Sequence, residues 1–409
     1  MKLFLFRMLF SLGMTMGWTG AVLAAEEKPP LHHVSASVCG ECHKEIYQQW
    51  AESMHARSSA LKDPVFKALY TAQAGDPTQE NVTLKATGGY PACLKCHAPN
   101  AARDGKTKQD ALDAYGEGIS CVSCHTMSQF LGVHGKEGDP FRLGTDAYTF
   151  SDSHLLGPHG AFAGKDPTHA PGAAAGETSS NPYPHQANGP LFKTSDICLG
   201  CHEKNNNPFG VPVCATGPEL VQSGNTTTCQ SCHMPTIDGF TNHSMMGGHD
   251  RAMLRQGILV SLAGEKTPQG GKIRVTLKNL LAHNYPTGAP FRMVVLRLTA
   301  LNEKGEEVWQ NFKTNPIEED SKAVLMLRLV DENDKPAPPP AAKKIKGDSR
   351  LKPGESRQLS YAVPVTGTVR IRAEVFYHLL LPPIAKQFDA ELPPESKKPV
   401  LVSRTELDL

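Results

Sequence analysis

Past residue 24 this 409-residue chain has no apolar run long enough to cross a bilayer. It has no basic run and no aromatic stacking motif, so nothing points to nucleic acid. It has no cysteine after Cys232, and Cys214 alone falls outside a repeated cysteine pattern. That excludes the disulfide framework that eleven cysteines in an exported chain would otherwise suggest. The chain also lacks strong charge of either sign, at a formal +1.

What is present begins with a leader. Lys2 and Arg7 precede an apolar stretch from Met8 to Leu23, small residues close it at Ala24-Ala25, and Glu26-Glu27-Lys28-Pro29-Pro30 turns polar. A positive start, a short apolar run and small exit residues read as a cleaved secretory signal over 1–25. Loss of Lys2 and Arg7 takes the formal charge to −1. The expected location is the periplasm, or alternatively the outer membrane surface or the extracellular space. No transmembrane segment remains after cleavage on this reading.

Ten cysteines fall in five copies of one pattern: Cys39-Gly-Glu-Cys42-His43, Cys93-Leu-Lys-Cys96-His97, Cys121-Val-Ser-Cys124-His125, Cys198-Leu-Gly-Cys201-His202 and Cys229-Gln-Ser-Cys232-His233. C-x-x-C-H is the attachment pattern of c-type haem: two thiols one helical turn apart reach the two vinyl groups, and the next histidine reaches the iron. Chance would supply the pattern on the order of 0.01 times in such a chain. Zinc half-sites do not require a histidine after every pair, and five is an odd number of halves. The sequence therefore predicts five covalent haems with His43, His97, His125, His202 and His233 as proximal ligands. No copy ends in lysine, the mark that pentahaem nitrite reductases usually place on their catalytic haem.

Twelve further histidines compete for the opposite faces. His55, twelve residues past His43 on one predicted helix from Glu41 to about Ala60, cannot easily face His43 and is expected to serve another haem. One or two of His134, His154 and His159, and one or both of His243 and His249, are expected ligands. His283, in Ala282-His283-Asn284-Tyr285-Pro286-Thr287-Gly288, is either a turn histidine or a ligand donated by the second domain. His169, His185 and His378 are weaker candidates, and His32 and His33 are expected to be solvated. Met54, Met127, Met234, Met245 and Met246 are alternatives that would raise reduction potentials. Cys214 reads as a buried or free thiol.

The organisation is two-part. Residues 26–250 read as a helical, loop-rich pentahaem domain in which the porphyrins form much of the core. A second helix is expected near Pro64–Ala74, and the Gly-, Pro- and Ala-rich stretch Gly157–Pro190 reads as a long loop. Residues 251–381 carry β-rich runs at Ile258–Leu262, Lys272–Lys278, Arg292–Leu301, Glu307–Phe312, Arg357–Val363 and Thr368–Phe376, punctuated by Gly and Pro turns. They predict an antiparallel, immunoglobulin-like β-sandwich. Residues 382–409 read as an extended tail. The fold class is α+β.

The run Val38-Cys-Gly-Glu-Cys-His-Lys-Glu-Ile-Tyr-Gln-Gln-Trp50-Ala-Glu-Ser-Met-His55-Ala resembles the opening of multihaem cytochromes of the hydroxylamine oxidoreductase superfamily, which includes a tetrahaem electron acceptor of nitrifiers. Cys229-Gln-Ser-Cys-His-Met-Pro235, His243, Gly247-Gly-His249 and His283-Asn-Tyr-Pro-Thr-Gly288 resemble a block of bacterial respiratory multihaem cytochromes. The resemblance covers roughly residues 35–130 and 195–300. It implies an electron carrier, with the histidine of Trp-x-x-Ser-x-His, here His55, as a distal ligand. A fifth haem motif and the β-domain depart from the tetrahaem pattern. The expected partners are redox proteins: a membrane quinol oxidase module, other cytochromes or an outer-membrane conduit. The competing expectation is an oxidoreductase in which one open haem, with Arg142, Arg251 or Arg292 nearby, acts on a small nitrogen, sulfur or selenium oxyanion.

Overall fold

A computed structural model describes residues 29–134, 141–159, 183–364, 367 and 369–409. The expected signal segment 1–25, His169 and most of the loop expected at 157–190 lie outside the described residues.

The N-terminal half is built of short pieces. Helices are no longer than ten residues among the described residues, and each C-x-x-C-H motif occupies about one turn. The turn closes on the backbone: the amide of His43 donates to Cys39 O at 2.9 Å, and that of His97 to Cys93 O at 3.0 Å. That hydrogen bond sets both thiols on one side of the turn. The single helix expected over 41–60 is instead Lys44–Glu52, followed by turns. His43 caps its start and His55 lies beyond its end, so they do not share a helix. The helix Pro64–Gln73 starts at Asp63, whose carboxylate accepts from Val65 N. The ends of the Gly-rich stretch are ordered into a parallel pair, Leu155–Gly157 with His185–Ala187.

Apolar packing here is fragmented. Small clusters form around Leu94, Tyr70 and Tyr115, around Met127 and Tyr148, and around Trp50. His32 and His33 depart from the solvated expectation. They form a 3₁₀ turn, His32 is 8% exposed, and both imidazoles bond to Asp104.

Among the described residues the C-terminal half contains nine strands: β1 Ile258–Thr267, β2 Gly270–Asn279, β3 Met293–Leu301, β4 Glu307–Gln310, β5 Val324–Val330, β6 Lys344–Asp348, β7 Ser356–Val363, β8 Arg370–His378 and β9 Val400–Asp408. They form two antiparallel sheets. One has the order β7-β2-β1 and the other β6-β5-β3-β8-β9, with β4 also pairing to β3. Alternation explains the first sheet: Ile273, Val275 and Leu277 of β2 and Leu359, Tyr361 and Val363 of β7 point into one core. Val294, Leu296, Leu298, Ile371, Ala373 and Val375 enter the same core from the second sheet. Strand β3 is apolar on both faces because Met293 and Val295 pack into another cluster with Val324, Met326 and Phe312.

Three strands were not foreseen: β5, β6 and β9. The stretch expected as a tail at 382–409 instead carries two short helices and then β9, which pairs with β8 through eight positions. Alternating Val400, Val402, Arg404 and Glu406 had the period of a strand, but the prolines before them obscured it.

The halves are joined by buried polar contacts. Glu219, 5% exposed on the helix Thr216–Gln222, accepts from Arg350 Nη1 at 2.7 Å, Thr287 Oγ1 at 2.5 Å and Asn284 N at 3.2 Å. Asn207 Nδ2 donates to Pro339 O and Ala342 O, each at 2.8 Å.

Candidate haem-binding cavity

All five motifs open into one cavity of about 2850 Å³. A single small-molecule site holds about 300–1,000 Å³, so this space suits several large ligands rather than one. Its walls are Cys, His and apolar side chains, with few charges. None of the motif cysteines is paired in a disulfide.

The thiols define which sites adjoin. Cys39 lies close to Cys121, Cys96 to Cys201, and Cys198 to Cys229. Cys124 lies close to Cys201. Site one therefore touches site three, three neighbours four, and four touches both two and five. Cys42 of site one and Cys232 of site five are exposed, whereas the cysteines of the other three motifs are half-buried.

The histidines carry a second signature. Two imidazoles that bind one metal from opposite sides, each at roughly 2 Å, stand with ring centroids on the order of 6 Å apart. His202 and His55 are 6.1 Å apart, His125 and His243 6.4 Å, and His233 and His283 6.4 Å. Each pair joins a proximal histidine to a distal candidate from a distant part of the chain.

Their tautomers suit ligation. Nδ1 of His97, His125 and His233 lies 3.1, 2.7 and 2.5 Å from the carbonyl oxygens of Ser58, Leu156 and Met246. Nδ1 of His243 and His283 does the same with Thr241 O at 2.8 Å and Asn284 O at 3.1 Å. A carbonyl can only accept, so Nδ1 carries the proton and the Nε2 lone pair is left for a metal. Desolvation pulls His55 to about 3 and His125 and His202 to about 4, so these imidazoles are neutral, as ligation requires. Gly118 helps to place His55. Its φ is +76°, and a Cβ there would sit 2.3 Å from His55 O, where Ile119 N now bonds. The residues present thus fit five haems: vinyl-reaching thiols, axial imidazoles of the right tautomer, and an apolar space between them.

The remaining candidates separate by position. His159 and His185 line the cavity, as does His249, which stands by Arg292. His134 is exposed beside Phe141 and, like His154 and His378, is not part of the cavity wall. His97 stacks on Phe66 at 3.9 Å, and among the described residues no imidazole pairs with it at axial distance. Met54, Met127, Met234, Met245 and Met246 all line the cavity, as does the half-buried Cys214. Of the arginines, Arg292 reaches the cavity, while Arg142 and Arg251 do not line it. Sequence reasoning had no signal for Phe66, Tyr377 or Gly118, which are placed here by packing alone.

This is the geometry of a multihaem c-type cytochrome. Residues 38–126 match the family Cytochrome c554 and c-prime. Over 105 residues the chain is 29% identical to cytochrome c-554 of Nitrosomonas europaea, a stretch that makes up 25% of this chain and 42% of that protein. The chain thus spans less than half the length of that relative. A penta-heme cytochrome c552 from Thermochromatium tepidum is similar almost throughout, with 41% identity and a TM-score of 0.87 over 93% of this chain and 100% of the other. The chain belongs to the pentahaem c-type cytochromes and carries five covalently attached haem c groups.

Proposed function

We propose that this cytochrome relays electrons through five haems between a donor docked at one exposed site and an acceptor docked at another, in anaerobic respiration or extracellular electron transfer. The observation that carries the reading is the continuous adjacency of the five motifs in one cavity, with sites one and five exposed at its ends. The path runs from site one through three and four to five, with site two branching from four. The three opposed imidazole pairs would make three of the irons six-coordinate and low in potential, which suits a relay. The leader expected at 1–25 supports a location in the periplasm or at the outer surface. Its partners are then a membrane quinol oxidase module, another cytochrome or an outer-membrane conduit. The segment around Trp50 and His55 supports kinship with the hydroxylamine oxidoreductase superfamily, and the two-sheet core supports an immunoglobulin-like reading of the C-terminal unit.

One observation favours a second reading, an oxidoreductase for a small nitrogen, sulfur or selenium oxyanion. His97 has no axial imidazole opposite it among the described residues, and Asp63 interacts with both His97 and Arg292. Among the described residues Arg292 Nε has no hydrogen-bond partner and the Tyr377 hydroxyl has only the Arg292 guanidinium beside it, and both groups line the cavity next to Gly248. A guanidinium and a phenol there would hold an anion.

The experiment is EPR of the ferric holoprotein, with haem content from a pyridine haemochrome assay. Five low-spin irons support the relay alone. One high-spin signal that is lost, together with one haem, from a C93S/C96S variant would assign the open haem to site two. Turnover of nitrite, hydroxylamine or selenite would then replace the relay reading.

A further inference from the structure

Outside the haem cavity wall, two adjacent histidines and one carboxylate converge. His32 Nε2 lies 2.8 Å from Asp104 Oδ1, and His33 Nε2 lies 2.6 Å from Asp104 Oδ2. All three donor atoms lie within 4.8 Å of one another. Tyr115 completes the cluster: its hydroxyl bonds Asp104 Oδ2 and stands 3.5 Å from His33 Nε2. We propose that His32, His33 and Asp104 form a binding site for a divalent first-row transition ion such as Zn²⁺, with the Tyr115 hydroxyl orienting the carboxylate.

Four observations support the site. The donor set is borderline, two imidazole nitrogens and a carboxylate, which suits zinc and its neighbours rather than calcium or magnesium. Both imidazoles turn the same nitrogen, Nε2, to one point, although they are consecutive in sequence. The 3₁₀ turn Leu31–His33 achieves this by setting the two rings at 70° to each other, with centroids 4.4 Å apart. The side chains are 10%, 25% and 26% exposed, so the cluster is walled on one side and open on the other. That leaves access for the ion and room for water to complete a coordination of four or more. Finally, the carboxylate ligand and the hydroxyl that orients it stand on two rigid supports. Asp104 follows the helix Pro99–Arg103, and Tyr115 is 4% exposed in a packed cluster. Ligand atoms that bind at roughly 2.0–2.1 Å stand about 3 Å apart, so the ion needs only a small spreading of the present contacts.

A bound ion would clasp the segment that follows the expected leader to the stretch between the second and third haem motifs. It would sit on covalently haem-anchored backbone without being a haem ligand site.

The test uses the full holoprotein, stripped with EDTA, incubated with zinc sulfate and desalted. Zinc is then counted against iron by mass spectrometry, iron serving as an internal standard. The expected result is one zinc per five irons, lost in both H33Q and D104N, with affinity weakened about 100-fold or more. D104N keeps an oxygen to accept the imidazole hydrogen bonds, so its loss of zinc reports the anionic ligand rather than a collapsed fold. An unchanged Soret spectrum and haem count in both variants show that the haem domain is intact. Wild-type protein that retains no more zinc than an H32Q/H33Q variant would overturn the proposal and leave the cluster a hydrogen-bonded clasp.

Discussion

Replacing Glu219 by Ala tests whether the β-domain holds a haem ligand in place. Glu219 and Arg350 are a buried pair, with side chains 6% and 11% exposed. Removing one member of such a pair costs about 3–5 kcal/mol, because the other charge is left unpaired in a poorly solvated site. Arg350 retains Asp348, through contacts of 2.9 and 2.7 Å. The cost therefore falls near the lower end, about 3 kcal/mol. At roughly 2–4 °C per kcal/mol for a unit of this size, the unfolding midpoint should fall by about 6–12 °C. A second effect is local. Glu219 also accepts from Asn284 N and Thr287 Oγ1, the residues that follow His283 in its turn. His283 stands 6.4 Å from His233, so loosening that turn should weaken the sixth ligand of the fifth haem. The assay pairs thermal unfolding followed by far-ultraviolet circular dichroism with ferric EPR at low temperature. The expected outcome is a lower midpoint together with a new high-spin fraction of up to one iron in five. A lowered midpoint with unchanged EPR would refute the coupling between the interface and the haem. An unchanged midpoint would refute the energetic assignment.

Other outcomes follow from the same geometry. C229S/C232S should lose one haem, read as a drop of one haem mass in denaturing mass spectrometry, while the other four remain. H55Q should convert one low-spin iron to high spin and raise its midpoint potential in a spectroelectrochemical titration, since the partner of His202 is removed. L298A, at a side chain with no exposure between the two sheets, should cost about 2–5 kcal/mol in guanidinium unfolding. Backbone amides of Asn315, Lys313 and Thr314 hold the Glu319 carboxylate at about 2, below its ordinary 4.5. Its contribution is therefore complete above about pH 4.5 and fades as pH falls through 2. The stability difference between wild type and E319Q should close over that interval.

How much was legible depended on whether a signal was local. The haem motifs and proximal histidines could be read directly, because thiol spacing and the next residue's reach are properties of one helical turn. The strands β1, β2, β3, β7 and β8 were legible from alternation. Strands β5 and β6 were missed because a proline cluster at 336–340 lies between them. β9 was missed because the prolines before it obscured its strand period, and its pairing with β8 is visible only in the folded chain. The expected solvation of His32 and His33 failed for a similar reason, since Asp104 lies 72 positions from His32 and nothing nearby in sequence announces it.

The sequence by itself determined the cofactor and its number, since an attachment pattern contained within five consecutive residues needs no tertiary context to be read. It also determined that a β-rich unit follows. Only the tertiary structure decided which imidazole faces which: His55 opposite His202, His243 opposite His125, and His283 opposite His233. The physical reason is the shape of the cofactor. A haem needs ligands on opposite sides of a flat ring, and a turn that supplies one side cannot supply the other. The second ligand must therefore come from elsewhere in the chain, where packing rather than spacing sets the distance.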